Sequence, residues 1–206
     1  MSRKWVFDND GVLYNDEPIQ EQFTQLFQEY MSRVLGISAI RVQSLAANLK
    51  IKHATEFSAV AFVREFGLDF SRIVKDTYLR LDLSVIRPDP VTLEVLSNLK
   101  GEKIVFTANP AAFAQYTLEY LGFLTYFNRV IGMEEVEFVP KDDQRAYRIV
   151  QELIQSSAGN IYFCDDTIRN LNAARRLGWT TIWYCPKGEH GSDHLIVRAL
   201  SELLGL

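Results

Sequence analysis

Two pairs of carboxylates carry the chemistry that this chain could do. Asp8 and Asp10 are separated by one residue and followed by Gly11, and Asp165 and Asp166 are adjacent. Carboxylates this close repel each other, so a fold that gathers them needs a compensating charge. Hard oxygen ligands of this kind suit Mg²⁺. Each feature alone also has a plain reading. The Asp8–Gly11 string reads as a solvated turn with two helix-capping acids, and Asp165-Asp166 as a helix N-terminus that favours acids. Lys141 alone is a surface lysine at a helix start, and Thr107 alone is a cap for the helix that follows it. The chemistry therefore depends on whether these residues meet. Together they would offer two acid pairs for a cation, a hydroxyl for an anion's oxygen and an ammonium for the same anion.

The elements around them predict that they do meet. Trp5 to Phe7 is a short apolar run that reads as a buried strand ending in Asp8. From Asn15 to about Leu83 the apolar residues recur at helical steps, with Gly36 and Gly67 as stops and Ser38, Thr55 and Asp69 as caps. Arg87-Pro-Asp-Pro90 breaks the chain. Beyond it strands and helices alternate. Lys103–Thr107, Arg129–Gly132, Asn160–Cys164 and Thr180–Cys185 read as strands, and Asp193–Leu204 as a last helix. Strand–helix alternation with apolar strands predicts a parallel sheet covered by helices on both faces. The first strand is too short to stand alone and joins that sheet. The expected fold is α/β: a Rossmann-like three-layer core with a mainly parallel sheet, residues 1–14 and 88–206, and an inserted all-helical cap, residues 15–87. Ligands of such sheets bind at the carboxyl ends of the strands. That rule brings Asp8, Asp10, Thr107, Asn109, Lys141, Asp165 and Asp166 to one edge.

The ordered set resembles the haloacid-dehalogenase-like hydrolase superfamily. Its four motifs stand as Phe7-Asp-Asn-Asp-Gly-Val-Leu13, Val105-Phe-Thr107, Lys141 and Phe163-Cys-Asp-Asp166, and the helical insert lies where that family carries a helical cap. Leu13-Tyr14, Arg87-Pro-Asp-Pro90, Asp165-Asp-Thr-Ile-Arg-Asn170 and Leu177-Gly178 are most similar to pyrimidine 5′-nucleotidase-like members. Three departures stand out. The second motif reads Thr107-Ala108-Asn109 where that subgroup usually has Thr-Asn-Ala. Asp142, not proline, follows Lys141. Lys50-Ile-Lys-His53 fills a cap stretch where a glycine is usual.

The resemblance implies a Mg²⁺-dependent phosphatase acting on a small phosphorylated metabolite, with a pyrimidine 5′-monophosphate as the best single substrate. It implies that Asp8 is the nucleophile, forming an aspartyl-phosphate, and that Asp10 is the general acid and base. Lys141 is implied to be the catalytic cation, and Thr107, Ala108, Asn109 and Lys141 to bind the phosphoryl group. The implied metal ligands are Asp8, Asp10 through its backbone carbonyl, Asp165 and Asp166, with Asp166 the direct ligand of its pair. Other functions on this fold are a sugar-phosphate or phosphoglycolate phosphatase, a phosphomutase, a carbon–halogen hydrolase and a non-catalytic binding protein. Halide displacement needs neither an acid at position 10 nor a metal pair. A binding protein would be expected to have lost Asp8, Asp10 or Lys141. Lys50 and Lys52 would also suit a sugar phosphate or a small carboxylate.

Composition narrows the partners. The 206 residues are 48% hydrophobic, enough for a sizeable core with an insert. The formal net charge of −4 argues against a nucleic-acid polymer as partner. No stretch approaches the roughly 20 apolar residues of a membrane span, and the Met1–Trp5 start has no apolar region of a signal peptide behind it. Cys164 and Cys185 sit in apolar runs and read as buried thiols. His53, His190 and His194 form no zinc-type spacing. These features predict a cytoplasmic protein.

Overall fold

The computed structural model describes residues 3–188 and 193–206; His190 lies outside them. The chain divides into two compact units, Met1–Asp16 with Ile86–Leu206, and Glu17–Val85. The first unit holds a six-stranded, all-parallel sheet in the order β3-β2-β1-β4-β5-β6. Its strands are β1 (Lys4–Phe7), β2 (Glu102–Phe106), β3 (Arg129–Ile131), β4 (Ile161–Asp165), β5 (Thr180–Tyr184) and β6 (Leu195–Val197). The arrangement is the expected α/β, Rossmann-like fold. β1 is central, and its Trp5, Val6 and Phe7 are buried on both faces, as a parallel sheet requires. Progression outward reverses at β1: β2 and β3 lie on one side, β4 to β6 on the other.

The helices of this unit are numbered after the four of the insert: α5 (Pro90–Asn98), α6 (Ala111–Tyr120), α7 (Gln144–Leu153) and α8 (Ile168–Arg175). Asp89 caps α5 by accepting from the backbone N–H groups of Val91 and Thr92, and Pro90 opens it. Asp143 caps α7 by accepting from Arg145 N. One face of the sheet packs Val6, Ile104, Phe106, Ile161 and Phe163 against Tyr147, Leu171 and Trp179. The rings of Tyr147, Phe163 and Trp179 meet edge to face, a favourable packing of aromatic quadrupoles.

The last helix expected from Asp193 to Leu204 is not formed as such. Leu195–Val197 pairs in parallel with Ile182–Tyr184 as β6, and only Leu200–Gly205 coils, as 3-10 turns. The open edge of β5 decides it: its backbone groups need partners, and a short β-branched run supplies them.

The second unit is all-helical: α1 (Glu17–Leu35), α2 (Ala39–Lys52), α3 (Ser58–Phe66) and α4 (Phe70–Asp76), followed by two 3-10 turns. Phe27, Tyr30, Met31, Val42, Leu49, Ala61, Phe62 and Ile73 form its own core. Asp69 caps α4 through Ser71 N. Ser38 precedes α2 without a side-chain cap bond, and Thr55 accepts from Phe57 N ahead of α3 rather than capping it. Among the described residues, no helix is long and apolar enough to cross a membrane.

Candidate active site

Parallel pairing sets the site. Phe7 lies opposite Cys164 on one side and Val105 on the other, so the residues just beyond these strands emerge side by side. Asp8 N–H donates to Cys164 O at 2.9 Å, which ties the first acid to the end of β4. Asp165 is the last residue of β4, and Thr107 follows β2, its N–H donating to Ile131 O at 3.0 Å.

Lys141 arrives from the loop after β3. That loop is braced where it begins. Gly132 N–H donates to Glu135 Oε2 at 2.7 Å, and Ala111 N–H at the start of α6 donates to Glu134 Oε1 at 3.0 Å. Gly132 is required there, since a Cβ would lie 2.2 Å from Ala111 N. Lys141 is 3% exposed, and its ammonium sits 2.9 Å from Asp8 Oδ1 and 2.8 Å from Asp165 Oδ2. The rings of Phe106 and Phe163 lie 5.2 and 5.5 Å from it, a cation–π setting that also keeps water out. Burial alone would lower the ammonium's pKa, but Asp165 and Asp8 hold it above its ordinary value. It stays charged.

The four acids differ in their partners. Asp8 Oδ1 accepts from Lys141 and from Asn9 N–H at 2.8 Å, while Oδ2 accepts no hydrogen bond among the described residues. Burial drives the Asp8 carboxyl well above the usual carboxylate range, Lys141 opposing and Asp165 and Asp10 adding to the rise. Asp10 Oδ1 accepts from the Tyr14 hydroxyl, and Oδ2 from Thr107 Oγ1 and Asn109 Nδ2, each at 3.0 Å. Its carboxyl too is pushed up by burial, against those three donors. Asp165 is fully buried. Its oxygens accept from Lys141, from Thr167 N–H at 2.7 Å and from Asn170 Nδ2 at 3.1 Å. Asp166 is exposed; Oδ1 accepts from Thr167 Oγ1 at 3.1 Å, and Oδ2 accepts none among the described residues.

Carboxylate oxygens of Asp8, Asp165 and Asp166 lie within 4.8 Å of one another, a spacing that one metal ion can bridge. The chemistry fits a divalent cation: three carboxylates face one ammonium, and Asp8 and Asp166 each keep an oxygen without a donor among the described residues. Gly11 makes room beside them. Its φ is +77°, and a Cβ there would lie 2.6 Å from Asp166 Oδ2. The Asp10 side chain is not in this cluster; its three donors turn it to Thr107, Asn109 and Tyr14.

The structure thus brings Asp8, Asp10, Thr107, Asn109, Lys141, Asp165 and Asp166 to one sheet edge, with half-buried Ala108 between Thr107 and Asn109. Tyr14, Asn170, Thr167, Glu134 and Glu135 carry parts of the site that the motifs alone did not assign. Tyr14 and Asn170 stand inside the motif strings, four and five residues from the acids they bond, so that spacing was the available signal.

In the helical unit, Lys52 Nζ contacts both oxygens of Glu65 at 2.8 and 2.7 Å, and His53 Nε2 lies 2.8 Å from Glu65 Oε2. Lys50 makes no ion pair among the described residues. It lines a cavity of about 260 Å³ with Phe23, Phe27, Val42 and Gln43. The two lysines of that stretch are therefore not equivalent.

A buried acid–lysine–acid bridge at the carboxyl ends of β1 and β4, beside an acidic cluster, defines a hydrolase-type active site on a Rossmann-like sheet. The chain belongs to the haloacid dehalogenase-like hydrolase family, whose model matches residues 5–178. No curated protein sequence matches it. Among solved structures, it is similar to 2-haloacid dehalogenase from Pseudomonas syringae pv. Tomato DC3000, with 16% identity, a TM-score of 0.73 and coverage of 100% of this chain and 99% of that one. It is similar to a HAD phosphatase from Thermococcus onnurineus at 21% identity and a TM-score of 0.65, covering 98% and 96%. A HAD-hydrolase from Bacillus subtilis, described as bound to magnesium, matches at 16% identity and a TM-score of 0.59, covering 99% and 97%. At these identities the likeness speaks for the fold.

Proposed function

We propose that the protein hydrolyses a small phosphomonoester by two successive phosphoryl transfers through Asp8. The observation that supports this most is Asp10, a second acid held beside Asp8 by three donors. An alkoxide leaving group needs a proton as it departs, and a halide does not. Burial raises the Asp10 carboxyl, which favours a group able to carry that proton.

In the first transfer, Asp8 Oδ2 attacks phosphorus, the bond to the ester oxygen breaks, and Asp10 gives that oxygen its proton. An alcohol and an aspartyl-phosphate result. In the second, Asp10 takes a proton from water as the water attacks phosphorus. The bond to Asp8 breaks, inorganic phosphate leaves, and both carboxyl groups return to their starting states. Lys141 offsets repulsion between Asp8 and the anionic phosphoryl group, and Thr107 donates a hydrogen bond to one of its oxygens. Asp8, the Asp10 carbonyl and Asp166 would hold Mg²⁺, with Asp165 anchoring Lys141 beside it. When bound, Mg²⁺ supplies positive charge that keeps Asp8 ionised and neutralises the phosphoryl group.

The substrate reading goes one step further, to a pyrimidine nucleoside 5′-monophosphate in a reducing, cytoplasmic setting. The motif-level likeness supports the nucleotide, and two buried free thiols fit the compartment. Pairing of Lys52 with Glu65 leaves Lys50 as the cation of that stretch without a carboxylate partner among the described residues, which weakens the case for a doubly charged pocket built from both lysines.

The test is a panel with and without Mg²⁺: uridine and cytidine monophosphates, sugar phosphates, phosphoglycolate and 2-chloropropionate. Mg²⁺-dependent release of phosphate is expected, removed by chelator and abolished in Asp8→Asn. Chloride release without phosphate release would replace this function with dehalogenation. If the nucleotides fall tenfold or more in kcat/KM below another ester, about 1.4 kcal/mol of transition-state preference, the nucleotidase reading fails and the phosphatase reading stands.

A further inference from the structure

A count of hydrogens around Asp10 exposes a conflict and its resolution. Thr107 Oγ1 has one hydrogen, and it points to Asp10 Oδ2 at 3.0 Å; the same oxygen accepts from Asn109 N–H at 3.0 Å. A hydroxyl cannot donate to Asp10 and to a phosphoryl oxygen at once. When Thr107 turns its hydrogen to the phosphoryl group, Asp10 loses that donor. Two others remain, one on each oxygen: the Tyr14 hydroxyl on Oδ1 and the Asn109 amide on Oδ2. One donor would leave the carboxyl free to spin about its Cβ–Cγ bond. Donors on both oxygens fix its plane.

Both donors are themselves fixed. Tyr14 is 6% exposed and stands at the end of a tight turn, closed by Gly11 N–H donating to Tyr14 O and Leu13 N–H donating to Asn9 O, each at 3.0 Å. Asn109 is pinned on both sides of its backbone. Its N–H donates to Thr107 Oγ1, and its carbonyl accepts from Met133 N–H at 3.0 Å. Asn109 stands two residues after Thr107, and its side-chain amide reaches Asp10.

We propose that Tyr14 and Asn109 are the positioning residues of Asp10: they hold its carboxyl for proton transfer while Thr107 serves the phosphoryl group. This rests on the phosphatase reading. In this assignment the Asn109 amide is spent on Asp10 rather than on the phosphoryl group, and neither residue is part of the acidic cluster. An Asp10 oxygen that carries the proton still has a lone pair for its donor, so the same two bonds serve the acid and the base form.

Leaving-group dependence separates positioning from a merely structural role. The first transfer is read by kcat/KM for two Mg²⁺-supported substrates: 4-nitrophenyl phosphate, whose phenolate leaves without a proton, and glycerol 2-phosphate, whose alkoxide does not. Tyr14→Phe keeps the ring and removes only the hydroxyl, and Asn109→Ala removes the amide from the other oxygen. For each, the alkyl ester is expected to lose about tenfold or more, part of the range of general acid catalysis. The aryl ester should lose at least fivefold less than the alkyl one. If the two esters fall together, or neither falls, the proposal is overturned. Should one variant not fold, the other decides by the same ratio. A wild-type protein that releases phosphate neither from these two esters nor from any phosphomonoester of the panel would instead overturn the phosphatase reading itself, and this assignment with it.

Discussion

The two acid pairs of the site stand at neighbouring strand ends and hold their charges in opposite ways. At the end of β4, buried Asp165 is saturated. Lys141, Asn170 and the Thr167 backbone occupy both its oxygens, while exposed Asp166 keeps Oδ2 open. At the end of β1 it is Asp8 that keeps an oxygen open, and Asp10 that is saturated, by the neutral donors Tyr14, Thr107 and Asn109. Asp165 is paired with a buried cation, Lys141. Asp10 has only neutral donors, so its gaining a proton leaves no buried cation without a partner. In the proposed reaction one pair would supply an anchored cation and a metal ligand, and the other a nucleophile and an acid. Identical side chains part company because of the donors around them.

Lys141 tests the largest part of that contrast. Lys141→Met keeps the volume and leaves Asp8 and Asp165 buried without their cation. Removing one partner of a buried pair costs about 3–5 kcal/mol. A chemical-denaturation midpoint should fall accordingly, and phosphate release should be lost with it. A variant as stable as the wild type would show that Thr167 and Asn170 suffice to hold Asp165, and that the bridge contributes little to the fold.

Much of this arrangement is legible in the sequence, and the limits have physical causes. Apolar strands ending in polar residues give a parallel sheet, and the sheet gathers strand ends, so the order of residues alone places Asp8, Thr107 and Asp165 together. Lys141 is placed by its motif. The partners are not legible. Tyr14 reaches Asp10 only because the turn from Asn9 closes on itself, and Asn170 reaches Asp165 only because α8 starts three residues beyond it. β6 escapes because a three-residue strand has too short a pattern to read, and it exists only by pairing with β5. Propensity describes a residue's own preferences; a vacant sheet edge or a returning turn belongs to the tertiary structure.

A smaller effect sharpens the difference within the β4 pair. Asp166→Ala removes an exposed carboxylate with an open oxygen and should weaken Mg²⁺ binding, read by titration calorimetry, more than Asp165→Ala does. The melting temperature should move the other way. Asp165→Ala strips a fully buried acceptor from Lys141, Thr167 and Asn170, and leaving such donors unsatisfied costs about 1–3 kcal/mol or more. Equal losses of metal affinity in the two variants would mean that both acids ligate directly and that the contrast is wrong.

Gly11 offers the smallest and most specific test. Its φ of +77° lies in the left-handed region, and its missing Cβ leaves the space beside Asp166 Oδ2, 2.6 Å from where that atom would be. Gly11→Ala therefore has two separable consequences. The backbone strain costs about 1–2 kcal/mol, visible in a melt. The methyl group also forces Asp166 aside, because it would meet the far end of a side chain rather than a fixed backbone. Asp166 is exposed and can yield, so the fold should survive while Mg²⁺ affinity falls. Asp165, held by three partners, should not respond. If Gly11→Ala lowers stability and leaves Mg²⁺ affinity unchanged, the open oxygen of Asp166 is not the metal's ligand. Gly11 would then be needed only for the turn that carries Tyr14 back to Asp10.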